Sequence, residues 1–174
     1  MNDMFVPEHD RKALRVHQVK AIDLLRQSLG KGNRRVVLQA PTGFGKSLTA
    51  AKIIESALER GRNVLFTVPR LALIDQTVEA FEAEGIRDIG VIQANHPRTN
   101  SRALVQVASI QTLARRDVAA EFGLVINDEC HLQSEVITKM LKEWPCHFVG
   151  LSATPWARGM GLLWQDMVQP VTLQ

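Results

Sequence analysis

The sequence predicts an α/β fold in which a mostly parallel β-sheet is covered by helices on both faces. Two observations carry this prediction. First, short apolar runs rich in β-branched residues alternate with segments whose apolar side chains recur every three or four positions. Such alternation needs right-handed crossovers, which place helices on both faces of a parallel sheet. Second, 174 residues with a hydrophobic share of 45% suffice for one domain with a sizeable core.

Three amphipathic helices are predicted between the strands. Each ends just before a glycine, Gly30, Gly61 or Gly85, which is typical of helix C-termini. Their apolar faces are formed by Val19, Ile22, Leu25 and Leu29, by Leu48, Ala51, Ile54 and Leu58, and by Leu71, Ile74, Val78 and Phe81. The predicted strands cover residues 36–40, 63–68, 89–92, 104–108, 124–126 and 148–151.

A glycine-bearing loop, APTGFGKS at residues 40–47, joins the first strand to the second helix. The two glycines allow backbone N–H groups to turn toward an anion, and the helix N-terminus adds its positive dipole end. A lysine in this place reaches the β- and γ-phosphates of a nucleotide, and the hydroxyl after it holds Mg²⁺. The residues predicted to contact the nucleotide are Pro41, Thr42, Gly43, Phe44, Gly45, Lys46 and Ser47.

Two adjacent carboxylates, Asp128 and Glu129, follow the predicted strand 124–126. Ligands of open parallel sheets bind at the carboxyl ends of the strands, so this pair and the glycine loop should share one crevice. One carboxylate can hold Mg²⁺ and the other can orient or deprotonate an attacking water. Capping of the following helix is the alternative, and the neighbouring phosphate loop disfavours it.

Six short motifs occur in a fixed order: LRVHQ at 14–18, APTGFGKS at 40–47, TVPRLALIDQ at 67–76, SIQTL at 109–113, DECH at 128–131 and SAT at 152–154. Together they resemble the motifs of superfamily 2 helicases and translocases, the DEAD/DEAH-like group. The resemblance covers residues 14–155 and is nearest to the branch with type III restriction subunits, XPB-type repair helicases and phage helicases.

The resemblance implies a RecA-like P-loop three-layer sandwich and an ATP hydrolase of helicase type. In that family Gln18 would hydrogen-bond adenine, and Ser47 and Asp128 would hold Mg²⁺. The residues with implied catalytic roles are Lys46, Asp128, Glu129 and His131. His131 would link the nucleotide site to Ser152 and Thr154, which relay the nucleotide state. The residues expected to contact a nucleic-acid backbone are Arg70, Ser109, Gln111 and Thr112.

The chain departs from the family pattern at three positions. Asn127 stands where an apolar residue usually precedes the motif II aspartate, and Ala40 replaces the first glycine of the strict phosphate loop. His17 lies where an aromatic residue is commoner, and no upstream aromatic is convincingly placed to stack on adenine. Phosphate binding is therefore better supported by the sequence than base recognition.

Motors of this family have two RecA-like lobes, and the second supplies an arginine to the ATP site. We expect residues 1–174 to be a single helicase ATP-binding domain, the first lobe, with the second lobe absent from this chain and supplied by a longer protein or a partner chain. Alone, the chain should be weakly active or inactive. Two alternatives remain: a non-catalytic module that binds nucleic acid or protein in response to nucleotide, and a restriction-type double-stranded DNA translocase subunit.

The net charge of +3 mildly favours a polyanionic partner, and we expect nucleic acid, with DNA favoured over RNA. No apolar run approaches the roughly 18 residues that span a bilayer, so a membrane partner is not expected. The N-terminus lacks a basic segment followed by an apolar one, which leads us to expect a cytoplasmic or nucleoid-associated protein.

Overall fold

Residues 12–171, which the computed structural model describes, form one parallel β-sheet with helices on both faces. The strands are β1 Arg35–Gln39, β2 Val64–Val68, β3 Ile89–Val91, β4 Val105–Ser109, β5 Leu124–Asp128, β6 His147–Ser152 and β7 Asp166–Val168. Their order across the sheet is β3-β4-β2-β5-β6-β1-β7, and each pairing is parallel. The prediction of an α/β fold with a parallel sheet is confirmed.

The helices are α1 Val16–Gly30, α2 Lys46–Glu59, α3 Ile74–Ala83, α4 Ile110–Leu113, α5 Glu135–Glu143 and α6 Met160–Leu163, with a 3₁₀ turn at Leu71–Leu73. Two apolar clusters lie on opposite faces of the sheet. One cluster packs α1, α2 and α3 against the sheet, where Phe66 of β2 meets Phe81 edge to face at 4.8 Å. The other packs α4, α5 and α6 against the opposite face. The molecule is therefore a three-layer sandwich.

Two residues assigned to apolar helix faces are exposed, contrary to the sequence prediction. Val19 is 44% exposed because α1 turns Gln18, Ala21 and Ser28 inward beside Ile22 and Leu25, the two members of the predicted stripe that are buried as expected. Leu71 is 46% exposed because it lies in the 3₁₀ turn before α3, where the α-helical period does not apply.

The short strand β7 is not predicted from the sequence, and it adds an edge beside β1. No helix among residues 12–171 is both long and apolar enough to cross a membrane.

The carboxyl ends of the strands bring the predicted site residues to one edge of the sheet. β1 runs into the glycine loop, β5 ends at Asp128 and β6 ends at Ser152. β2 leads into Arg70, and β4 ends at Ser109. Because β2 and β4 are neighbours and β5, β6 and β1 are neighbours, this edge has two adjacent regions.

Candidate nucleotide and nucleic-acid sites

The loop after β1 has the backbone geometry of a phosphate-binding loop. Gly43 and Gly45 have φ angles of 77° and 84°, in the left-handed region that favours glycine. Gly45 is also the N-cap of α2, and a Cβ atom there would collide with the side-chain amide of Gln18. Position 45 thus requires glycine for two independent reasons. The first N–H groups of α2 have no intrahelical partner and can bind an anion.

The predicted loop residues differ in exposure, and so in the part they can take in binding. Thr42, Gly43 and Ser47 are exposed at the edge of the sheet. Phe44 is buried, and its ring packs against His17 with a centroid distance of 4.8 Å. The Phe44 amide donates to the carbonyl of Pro41 at 3.0 Å. Phe44 therefore anchors the loop, while its exposed neighbours are free to contact a nucleotide.

Gln18 lies beneath the loop and is only 2% exposed. Its side-chain Nε2 donates to the carbonyl oxygens of Phe44 and Gly45 at 3.0 and 3.2 Å, and its Oε1 accepts from the Arg15 amide at 2.8 Å. These bonds fix the loop against α1. That Gln18 also hydrogen-bonds adenine stays a prediction.

Lys46 meets both carboxylates at the end of β5. Its Nζ donates to Glu129 Oε1 at 2.6 Å and lies 3.6 Å from Asp128 Oδ1. Burial alone would lower the pKa of Lys46, but the hydrogen bond to Glu129 and the two negative charges outweigh it, so this pKa is raised. Lys46 therefore remains a cation.

Asp128 and Glu129 are adjacent but have different surroundings. Burial raises the pKa of Asp128, an effect that Lys46 opposes and the Glu129 charge reinforces. Glu129 has a φ of 51°, an uncommon conformation for a residue with a side chain, and such conformations cluster at functional sites. Its amide donates to Asp128 Oδ1 at 3.0 Å. Both carboxylates face Lys46, but Glu129 is in direct hydrogen-bond contact with it and Asp128 is about 1 Å further away.

The oxygen donors at this edge suit Mg²⁺. Ser47 presents an exposed hydroxyl beside the loop, and Asp128 presents a carboxylate at the end of β5. In the described part of the chain, no group of three or more His, Cys, Asp or Glu side chains could hold a metal by itself. Mg²⁺ is usually bound through one or two protein oxygens together with substrate phosphates and water, and Ser47 and Asp128 offer two such oxygens.

His131 connects the carboxylates to the end of β6. Its Nδ1 lies 2.7 Å from Ser152 Oγ and 3.4 Å from Glu129 Oε2. Ser152 is fully buried, and its hydroxyl oxygen accepts from the amide of the exposed Thr154 at 3.0 Å. The structure thus brings together the residues that the resemblance assigns to coupling, in one chain of contacts.

The residues expected to contact nucleic acid fall into exposed and buried members. Arg70 and Gln111 are exposed and Thr112 is half-buried. Ser109 is fully buried and caps α4, since its Oγ accepts from the Thr112 amide at 3.1 Å. Its side chain therefore positions α4, and the proposal of direct contact rests on the other three residues.

One buried polar pair was not foreseen. Thr67 Oγ1 donates to Asn127 Oδ1 at 2.8 Å between β2 and β5. This bond accommodates Asn127, the polar residue that departs from the family pattern. The signal present in the sequence is a second polar residue, Thr67, at the corresponding end of a neighbouring strand.

Comparisons with known proteins agree with this geometry. A family model described as "Type III restriction enzyme, res subunit" (ResIII) matches residues 11–157. The "ATP-dependent DNA helicase uvsW" of Enterobacteria phage T4 is 33% identical over 112 residues, 59% of this chain and 22% of that protein. The "Type I restriction enzyme EcoKI endonuclease subunit" of Escherichia coli (strain K12) is 27% identical over 144 residues, 72% of this chain and 12% of that subunit.

A solved structure of T4 UvsW has the same fold. The crystal structure of T4 UvsW superposes with a TM-score of 0.77 at 26% identity, over 92% of this chain and 35% of that one. The chain spans less than a quarter of the length of either curated relative. By family match, motif order and fold, the chain belongs to the type III restriction enzyme res subunit (ResIII) family and forms a first RecA-like lobe of superfamily 2 helicases and translocases.

Proposed function

We propose that this chain is the ATP-binding lobe of a motor that couples ATP hydrolysis to movement along nucleic acid, with DNA favoured over RNA. The convergence of Lys46, Asp128 and Glu129 beside the glycine loop carries the proposal. An ammonium 2.6 Å from one carboxylate and 3.6 Å from another supplies the charges that phosphoryl transfer needs. All three groups lie at the carboxyl edge of the sheet, where ligands of such folds bind.

In the proposed reaction each side chain has a separate task. Lys46 binds phosphate oxygens, exchanging its contact with Glu129 for them. The Glu129 carboxylate, freed from the ammonium, accepts the proton of the attacking water. Ser47 and Asp128 would hold Mg²⁺, which would neutralise phosphate charge. The hydrogen bond from the Glu129 amide to Asp128 keeps the two carboxylates in fixed relation.

The contacts of His131 support its proposed role in passing on the state of the site. Its Nδ1 lies between Glu129, which contacts Lys46, and Ser152, which accepts from the Thr154 amide. A displacement of the Glu129 carboxylate would therefore be transmitted through His131 and Ser152 to the exposed segment after β6. We propose that Thr154 is the exposed residue at which this series of contacts ends. We also propose that Gln18, which holds the glycine loop, hydrogen-bonds adenine.

The domain proposal is that residues 1–174 act as a first lobe whose catalytic cleft is completed by a second RecA-like lobe. In residues 12–171, no arginine side chain forms a hydrogen bond or ion pair with Lys46, Asp128 or Glu129. Phosphoryl-transfer sites of this class use an arginine to stabilise the transition state. A second lobe, in the same protein or a partner chain, would supply it.

A second candidate function is translocation on double-stranded DNA without strand separation. It is favoured by the similarity to a type I restriction enzyme subunit, which covers 72% of this chain. A non-catalytic binding module is less well supported, because Lys46, Asp128 and Glu129 are all present and in contact.

The proposed function is tested by measuring the affinity of the full chain for single- and double-stranded DNA and RNA of one length, at several salt concentrations. We expect binding to at least one DNA form, weakening as salt rises because counterions are released. Failure to bind any of the four nucleic acids at low salt would contradict the proposed function. A clear preference for duplex DNA over a single strand would favour the translocase over the strand-separating helicase.

A further inference from the structure

The predicted binding residues divide between two sets of strands. Apart from Gln18 in α1, candidate nucleotide contacts follow β1 and β5 and the coupling residues follow β6, whereas candidate nucleic-acid contacts follow β2 and β4. In the strand order β3-β4-β2-β5-β6-β1-β7, these sets meet at a single boundary, between β2 and β5. Any structural signal that travels through the sheet from nucleotide to nucleic acid crosses this boundary.

A side-chain hydrogen bond spans that boundary at the carboxyl edge. Thr67 and Asn127 are register partners and form the last pair of the β2–β5 ladder before the two chains diverge. Thr67 Oγ1 donates to Asn127 Oδ1 at 2.8 Å, and the two residues are 0% and 2% exposed. On its other side Asn127 is paired with Gly150 of β6, which offers no side chain, so its cross-strand partner lies on β2.

Both residues are close in sequence to the sites they would connect. Asn127 directly precedes Asp128, and Thr67 is followed two residues later by Pro69 and then Arg70. A buried neutral hydrogen bond adds little net stability compared with two apolar side chains of the same shape. Its distinctive property is directional, because it fixes the relative position of the two strand ends.

We propose that the Thr67–Asn127 hydrogen bond carries the nucleotide state from β5 to β2 and so couples ATP binding to the grip on nucleic acid. This inference rests on the proposed function. The side chains of Thr67 and Asn127 hydrogen-bond to each other and, in the described part of the chain, to no residue of the glycine loop or of the exposed contact set, so they are positioning residues. A displacement of Asp128 on nucleotide binding is transmitted through Asn127 to Thr67, and from there to Arg70.

The test uses the full chain and four variants: Thr67→Val, Asn127→Leu, the double variant, and Thr67→Ser. For each, nucleic-acid affinity is measured with and without a non-hydrolysable ATP analogue and Mg²⁺, and thermal unfolding is recorded. The affinity ratio is the nucleic-acid affinity with the ATP analogue compared with the affinity without it. For the wild type we expect the two affinities to differ by about fivefold or more, the usual lower range of coupling between sites. Thr67→Ser, which keeps the hydroxyl, should retain that ratio.

The double variant separates coupling from stability. Each single apolar variant leaves a buried polar group without its partner and should unfold at a lower temperature, whereas the double variant should recover much of that loss. We expect its affinity ratio to stay near one despite this recovery, with affinity for the ATP analogue changed by less than about threefold. If the double variant fails to fold, Thr67→Ser and Thr67→Val still contrast a variant with the hydroxyl and one without it.

Three results would overturn the inference. The first is a wild-type affinity ratio in a folded double variant or a folded Thr67→Val. It would show that Thr67 and Asn127 have a structural role only. A wild type that binds both ligands with a ratio of one would show that there is no coupling for the pair to carry. A wild type that binds neither ligand would contradict the proposed function itself and, with it, this inference.

Discussion

The adjacent carboxylates of Asp128 and Glu129 have different surroundings. The Glu129 backbone turns into the left-handed region directly after Asp128, and Glu129 Oε1 accepts from Lys46 at 2.6 Å. Asp128, whose pKa is raised by burial, lies 3.6 Å from the same ammonium. This difference in surroundings is the basis for assigning proton transfer to Glu129 and metal binding to Asp128.

We expect Glu129→Gln, placed in a two-lobe protein that carries this lobe, to keep ATP binding and lose turnover. The amide keeps the size of the side chain but cannot accept a proton, and general-base catalysis is typically worth about 10² to 10⁴ in rate. Steady-state ATPase assays and calorimetric ATP titration measure the two properties. Hydrolysis by Glu129→Gln at the parental rate would remove the proposed base.

Arg70 is the exposed cation of the proposed nucleic-acid surface. It follows β2 and starts the 3₁₀ turn Leu71–Leu73, which holds it at the carboxyl edge of the sheet. We expect Arg70→Ala to weaken binding and to reduce the slope of log affinity against log salt by about one, the contribution of one phosphate contact.

The matched control for Arg70→Ala is Arg102→Ala. Arg102 is also exposed but precedes β4, at the opposite edge of the sheet. Its replacement should leave the salt slope unchanged. Equal slopes for wild type and Arg70→Ala, or equal losses in the two variants, would exclude a specific contact at Arg70.

At the scale of elements, the connection between α1 and the phosphate loop is the most constrained. The amide of Gln18 holds the carbonyls of Phe44 and Gly45, and the space beside Gly45 is too small for a Cβ atom. The left-handed φ of 84° at Gly45 adds a second constraint.

We expect Gly45→Ala to lower the free energy of unfolding by about 1–2 kcal/mol from backbone strain alone, with a further loss from the displaced Gln18 hydrogen bonds. Gly30→Ala is the control, because Gly30 ends α1 with an ordinary φ and a Cβ added there would meet no neighbour within 4 Å. It should be neutral or stabilising by up to about 1 kcal/mol. Denaturant unfolding of both variants compares them, and equal stability would contradict the packing described at Gly45.

The elements also show what the sequence could predict and what it could not. Strands β1, β2, β5 and β6 are foreseeable because both faces of a central parallel strand are buried, which leaves apolar runs; β4 is foreseeable from its β-branched residues although Gln106 interrupts the run. β7 has three residues and no such run, and its place depends on pairing with β1. The predicted stripe of α1 is correct for Ile22 and Leu25 and wrong for Val19, because polar Gln18 and Ser28 are buried by hydrogen bonding.

For the candidate site, the identity of the residues was predictable and their contacts were not. The motifs locate Lys46, Asp128 and Glu129, since spacing in sequence is what defines them. The pairing of Thr67 with Asn127 and the burial of Ser109 depend on strand register and capping, which only the three-dimensional structure fixes.

At the scale of the whole molecule, the proposal is that the described residues form one side of a nucleotide cleft. The glycine loop, both carboxylates and His131 lie on one edge, and within residues 12–171 no arginine side chain is hydrogen-bonded or ion-paired to Lys46, Asp128 or Glu129. We therefore expect the 174-residue chain alone to hydrolyse ATP very slowly, because an arginine in such sites contributes about 10³ to 10⁵ in rate.

The assay is steady-state ATPase activity with and without DNA and RNA over a range of protein concentrations. Fast, nucleic-acid-stimulated turnover by a monomer would contradict the expectation of an incomplete site. Turnover that rises with the square of protein concentration would instead indicate that a second copy supplies the missing group.

The central claim, a nucleotide site organised by Lys46, is tested most directly by calorimetric titration of ATP with Mg²⁺ into wild type, Lys46→Ala and Lys52→Ala. Lys52 lies on the same helix, is similarly exposed and pairs with Glu55 at 2.9 Å, so it controls for the loss of a positive charge from α2. We expect Lys46→Ala to bind ATP about tenfold to a hundredfold more weakly while keeping the wild-type unfolding temperature within a few degrees, since hydrogen bonds to charged groups contribute about 1.5–3 kcal/mol. Lys52→Ala should bind like wild type. Unchanged ATP affinity in a folded Lys46→Ala would contradict the account.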